Sequence, residues 1–179
     1  MSFNVCLQDS FPLTVESAAT KAKLVPRIEA HNAECDRLAE DERELSAAAN
    51  EDWTEAHRTA ARKIRARKVE LLRQEIELRR EIEAHLDRVV SVDFGAAQTA
   101  ANTDFEATKS DVTSKLEAIG YVAPNFGIVG VNPRVKAARM ALDSIGTTSV
   151  RESRIRNAKE LKQADATLAE LRKSDLAVA

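Results

Sequence analysis

The residues best able to do chemistry are few and unusually placed. Each of the three histidines follows a Glu-Ala pair: Glu29-Ala30-His31, Glu55-Ala56-His57 and Glu83-Ala84-His85. Di-iron helical bundles use Glu-x-x-His, a spacing that turns both ligands to the same side of the helix. Here Glu and His are two apart, about 200° around a helix, so they point away from each other. His31 and Cys35 are four apart and share a face, but no second pair completes a ligand set. The spacing predicts half-exposed histidines at helix interfaces and no metal site.

Nucleophilic chemistry has equally little to work with. Neither cysteine nor any serine lies in a Gly-x-Ser-x-Gly elbow or beside a histidine. Gly127-Ile128-Val129-Gly130 matches neither the dinucleotide-binding nor the P-loop pattern. Neighbouring carboxylates are abundant, but on charged helices they form solvated faces. No catalytic residue and no cofactor are predicted, and the chain is expected not to be an enzyme.

One charged cluster has physical content. Arg62, Lys63, Arg65, Arg67 and Lys68 place five cations in seven residues, enough to contact phosphates. No aromatic side chain interleaves for base stacking. The preceding acidic run, Glu34, Asp36, Glu40, Asp41, Glu42 and Glu44, can neutralise it. A chain folded back near residue 51 would pair Glu44 with Arg58, Glu40 with Arg62 and Glu34 with Lys68, a weak set of contacts that still selects orientation and register. Internal charge matching is the favoured reading; a nucleic-acid contact is the alternative.

The elements that carry these residues are helical. Of 179 residues, 31% are charged and only 4% aromatic, with five glycines, a balance that reads as long helices with coiled-coil character. With few aromatics the core is expected to be thin or completed by other subunits. The net charge of −2 gives no overall attraction to nucleic acid or anionic membrane. Cys6 and Cys35 make no disulfide framework, no run of eighteen apolar residues spans a membrane, and the N-terminus lacks a signal peptide's basic start and apolar run. A cytoplasmic protein or a component of a viral particle is expected.

Three regions follow along the chain. Residues 1–14 lack a helical period; Phe3, Val5, Leu7 and Phe11 suit a short strand or, preferably, an apolar arm docked on a helix or a neighbouring subunit. Residues 15–92 read as a long helical hairpin, or as one kinked long helix. Thr14 is a suitable N-cap, and Pro26 should end or kink the first helix. Leu24, His31, Leu38 and Leu45 recur at seven, and helix is expected to about Ser46. Asn50 looks like the next N-cap, while an unbroken stripe through Leu45, Ala49, Trp53, Ala56, Ala60 and Ile64 argues for continuity. From Trp53 to Val92 there is no Gly or Pro, and apolar positions from Ile64 to Val90 cover about half the helix, enough to touch more than one partner helix.

Residues 93–179 read as shorter helices around an apolar loop. Asp93-Phe94-Gly95 and the following small residues suggest a weak helical turn or a bend. Thr103 and Glu106 then match a capping box opening a helix over 104–119, with Gly120 as its C′ residue. Residues 120–133 carry no charge at all. They form either a buried loop sealing a bundle or an exposed contact patch. Asn132-Pro133 starts a short helix that stops at Gly146. A last helix runs from Thr148 or Ser149 to about Leu176, with Ser153, Arg154, Arg156 and Lys159 toward solvent.

The fold class expected is all-α: an elongated helical bundle or helical hairpin with shorter C-terminal helices. The function expected is that of a non-enzymatic structural or assembly protein that self-associates or docks into a multi-subunit complex. Candidate protein-contact residues are Phe3, Val5, Phe11, Tyr121, Phe126, Ile128 and Val129. The alternative is a nucleic-acid-binding module using residues 62–68.

Overall fold

The fold was obtained as a computed structural model that describes residues 3–48, 53–121, 127–128 and 132–176, with side chains of the last helix as far as residue 172. It is all-α, with no strand among the described residues. The helices are α1 (Val15–Ala48), α2 (Glu55–Arg88), α3 (Phe94–Ala118), α4 (Pro133–Asp143) and α5 (Thr148–Leu176), with a π-helical turn, Val89–Asp93, joining α2 to α3.

α2 is the centre. α1 packs along one side of it and α5 along another, as its broad apolar face predicts. Both flanking helices run antiparallel to α2. Glu16 pairs with Arg88, Arg27 with Glu81, Glu34 with Arg67 and Glu42 with Lys68, so α1 ascends as α2 descends. Arg154 with Asp87 and Asp165 with Arg80 set the same sense for α5. The hairpin therefore forms, with a register slightly different from the expected one. Glu34 takes Arg67 rather than Lys68, Lys68 takes Glu42, and Arg58 and Arg62 pair with Glu55 at their own helix start. Both arginines lie within ion-pair distance of that one carboxylate.

Residues 49–52, with the expected Asn50 cap, lie outside the described segments. The observed N-cap of α2 is Thr54. Its hydroxyl accepts from His57 N–H while its own N–H donates to His57 Nδ1, a reciprocal box in which histidine does the work usually given to Glu or Gln. Thr14 caps α1 as expected, accepting from Ser17 N–H at 3.4 Å. Pro26 does not end α1, which continues through it. The ring removes one backbone hydrogen bond, and the burial of Leu24, with Val25 and Ile28 packed on the same core, offsets that loss.

The stretch after Val92, expected as a weak helical turn or a bend, is continuous helix. The π-turn carries the chain directly from α2 into α3, and Thr103 lies inside α3, donating its hydroxyl to Thr99 O. Its capping-box pattern with Glu106 is not used, because a helix already formed upstream leaves no free N–H groups there to cap. The end of that helix is as expected. Gly120, at φ 74°, donates to Glu117 O while Tyr121 donates to Leu116 O, a Schellman closure that needs glycine's freedom. Asn132 caps α4 by accepting from Arg134 and Val135 N–H, with Pro133 at N1.

Two cores result. The larger one, among α1, α2 and α5, contains Leu24, Leu78, Ile82, Leu86, Val89 and Val150 together with Phe3, Leu7 and Phe11 of the N-terminal segment. A smaller one, Phe105, Val112, Ile128 and Val135, holds α3 and α4 together as an antiparallel pair. α4 packs on α3, and α3 reaches the rest of the molecule through the π-turn at its base.

The buried polar residues fix this arrangement. Arg79, 2% exposed, donates from Nε to Glu75 Oε1 at 2.8 Å, and its Nη2 lies 2.7 Å from the same oxygen as an ion pair. Asn157 of α5 donates Nδ2 to the Arg79 carbonyl at 2.9 Å and accepts from its Nη1 at 3.4 Å. Glu160 adds a charge 2.6 Å from Nη1, though out of line for a hydrogen bond. Replacing Arg79 by Ala should strand the Glu75 carboxylate in the interior and cost about 3–5 kcal/mol of unfolding free energy. Urea titration checks this; a loss below about 1 kcal/mol would show that water reaches the site.

Candidate functional site

α1 and α5 stand on either side of a groove floored by α2, and the N-terminal arm lies in part of it. Residues 3–9 are neither helix nor strand. The arm is held by side chains from all three helices. Asn32 of α1 accepts from Phe3 N–H at 2.7 Å; Ser153 of α5 accepts from Cys6 N–H at 3.0 Å; His85 of α2 reaches Leu7 O at 3.0 Å. Since a carbonyl can only accept, His85 carries its proton on Nε2. Phe3 covers the Arg79 guanidinium at 4.2 Å and meets His31 edge-on. At the other end Thr14 donates its N–H and hydroxyl to Asp93 of the π-turn, at 3.1 and 2.5 Å.

Burial pushes the Asp93 carboxyl up, but hydrogen bonds from Ser17 and Thr14 outweigh it and hold the group below the usual carboxylate range. Thr14 makes the sound bonds; the Ser17 hydroxyl has no partner at full hydrogen-bond geometry.

Several expected positions change. His31 and His85 are buried rather than half-exposed, because the arm covers them; His57, at the cap of α2, is half-buried. Ser153, expected toward solvent, is buried under the arm, while Arg154, Arg156 and Lys159 are exposed. Phe3 and Phe11 lie in this chain's own core and Val5 packs against it, so the first alternative for the arm, docking on its own helices, is the one seen. Ile128 is buried beneath α3 and α4, Tyr121 is exposed, and Phe126 and Val129 lie outside the described residues. In the basic run Arg67 and Lys68 pair across the hairpin and Arg62 pairs with Glu55, while Lys63 and Arg65 are exposed positions on the same helix.

His31 and Cys35 do share a face, with Sγ 3.4 Å from Nε2. Burial lowers the imidazole's pKa and raises the thiol's. Both shifts favour the neutral pair, the opposite of the thiolate–imidazolium arrangement of a cysteine nucleophile. No group of three or more His, Cys, Asp or Glu placed to hold a metal ion occurs among the described residues. Nor, among those residues, is any helix long and apolar enough to cross a membrane.

Among the described residues, two apolar surfaces bear on contact with other molecules. Beyond Phe3 the groove stays open as a cleft of about 260 Å³ between α1, α2 and α5, lined chiefly by Leu38, Leu71, Leu72, Thr167 and Leu171. At the far end of α3, Ile119 is 76% exposed and Tyr121 44% exposed, at the start of the uncharged stretch. Sequence periodicity missed the cleft because it needs the angle between α1 and α5, which no single helix encodes. The exposed tip was legible as a lack of charge.

Comparison with protein-family models, curated proteins and solved structures finds no match to this chain.

His31 gives the structure a pH dependence of definite sign. Its imidazole faces Cys35 on its own helix, Glu75 and Arg79 on α2, and the Phe3 ring; burial dominates and lowers its pKa below the unfolded value of about 6.5. Between the two values the unfolded chain binds the proton and the folded chain does not, so stability falls as pH drops below about 6.5. Urea midpoints measured from pH 7.5 to 5 should decline more steeply for the wild type than for His31→Gln. Parallel profiles would remove His31 as the cause.

Proposed function

We propose that this protein is a non-enzymatic helical building block that associates with copies of itself or docks into a larger assembly. The observation that supports this best is the tip of the α3–α4 pair. Ile119 and Tyr121 expose large apolar surface there, and they lead into residues 120–133, a stretch without charge in a chain with 27 basic and 29 acidic residues. Exposed apolar surface at the end of a projecting helical pair is the usual form of a protein contact, and tyrosine is among the residues that anchor such contacts. The remainder of the design agrees. The arm and the buried Arg79 network hold α1, α2 and α5 in one register, and a rigid base presents its tip at lower entropic cost than a mobile one.

The nucleic-acid alternative is the weaker reading on this geometry. Arg67 and Lys68 already neutralise Glu34 and Glu42, each at 2.7 Å, and Arg62 lies 3.6 Å from Glu55.

Sedimentation velocity over a range of concentrations tests the proposal. Association should grow with concentration and weaken by roughly tenfold or more in Ile119→Lys and Tyr121→Lys, both exposed positions that leave the fold intact. A compact monomer at every concentration that also captures no partner from its native source would overturn it.

A further inference from the structure

The N-terminal arm is held by contacts that the same segment of another copy can also make. We infer that the arm is exchanged between two copies of this chain: residues 3–11 of each seat in the groove of the other, with the crossover at Pro12. The inference rests on the self-association reading above and names a segment that passes between copies.

Every polar tie between the arm and the helices runs through a side chain. Among the described residues, no backbone–backbone hydrogen bond involves residues 3–13. Asn32 meets both backbone groups of Phe3, accepting from its N–H at 2.7 Å and donating to its carbonyl at 3.4 Å. Ser153 and His85 do the same for Cys6 N–H and Leu7 O, and Phe3, Leu7 and Phe11 fill the apolar floor. None of these contacts uses the covalent link through Pro12 and Leu13. An arm from a second chain makes each of them unchanged.

The groove has walls of its own. Arg27–Glu81, Glu34–Arg67 and Glu42–Lys68 join α1 to α2, and a separate core of Leu72, Ile76, Ala164 and Leu168 joins α2 to α5. Left empty, the groove would open Leu24, Ile82, Leu86 and Val89 to water and strip the cover from Arg79. It therefore needs an arm, its own or a copy's. The two choices differ only at the hinge.

The hinge is of the kind that opens. The arm runs back along α1, with Phe3 reaching Asn32 midway along that helix, so the chain reverses between Ser10 and Thr14. Pro12 has no N–H with which to hold the reversal shut, and it bars Phe11 from helical backbone. A short, stiff hinge invites exchange. Exposed apolar surface lies at the same place. Val15, beside the hinge, is 90% exposed, the highest of the exposed large apolar residues among those described. Val92, 46% exposed, precedes Asp93, the residue that binds Thr14. Two chains crossing at Pro12 bring this patch of one copy to the same patch of the other, which makes a closed, two-fold dimer.

Hinge length in the full chain tests this by sedimentation velocity. Deleting Pro12 and Leu13 leaves an arm too short to turn back into its own groove, and should raise the two-chain species at least about tenfold. Inserting a flexible Gly-Ser linker after Pro12 alters neither the arm's anchors nor the Thr14 cap. It should favour each chain's own arm and weaken dimerisation by about tenfold. An excess of a synthetic peptide of residues 3–11 should split the two-chain species into single chains, and the same peptide with Phe3→Asp and Leu7→Asp should not. The insertion and the peptides decide the matter even where the deletion variant fails to fold. Dimerisation indifferent to the linker and to both peptides, in chains with wild-type circular dichroism, overturns the exchange and leaves the broader self-association reading standing. A wild-type chain that stays single at every concentration overturns both.

Discussion

The Phe3 ring lying on the Arg79 guanidinium is the contact on which the rest of the molecule depends. Arginine in a protein interior is tolerated only when its charge is answered and its donors are met. Here Glu75 answers it from the same helix, Asn157 and Glu160 from α5, and the arm covers it from above. One side chain thereby joins α2, α5 and the N-terminal segment. It brings α1 in indirectly, because Phe3 also meets the His31 ring and is bonded through its N–H to Asn32. Such a network adds little net stability compared with an apolar core of equal volume. What it adds is register: a one-turn slip of α5 along α2 would separate Asn157 from the Arg79 carbonyl and leave buried donors unmatched.

This explains how a chain so poor in aromatics forms a well-defined core. α1 and α5 both pack on α2, and the space between them is filled by an extended segment where a four-helix bundle would place another helix. Three of the chain's large side chains, Phe3, Leu7 and Phe11, are spent on that filling. An arm needs less room between two helices than a third helix does. A helix has a diameter of about 10 Å with its side chains and holds its neighbours apart uniformly, whereas an extended strap can thin out and stop.

Helices and their partners were largely legible from residue patterns. The seven-residue recurrence of Leu24, His31 and Leu38 marks buried positions on α1, and the wide apolar face of α2 foretells its two neighbours. Local grammar held where nothing competed with it, as at Thr14, Gly120 and Asn132. It failed where longer-range packing decided the outcome. Pro26 is accommodated because the core around Leu24 and Ile28 holds α1 together, and the Thr103–Glu106 pattern is silent because the helix had already started at Phe94. The burial of His31, His85 and Ser153 could not be read from their own helices at all. Their cover comes from residues up to 147 positions away in the chain.

Val89–Asp93, between α2 and α3, is a π-turn. A π-turn accommodates an extra residue in the helical ladder, and one residue turns an α-helix by about 100°. The turn absorbs that rotation, so the side chains after it keep a bearing that an uninterrupted α-helix would not give them. Had the chain run through these residues as plain α-helix, Phe105 and Val112 would have been turned by about a further 100°. With the turn in place they pack against α4. A single surplus residue, pinned through Asp93 to Thr14, thus acts as an indexing tooth. It sets the compass bearing at which the far end of the molecule faces the world.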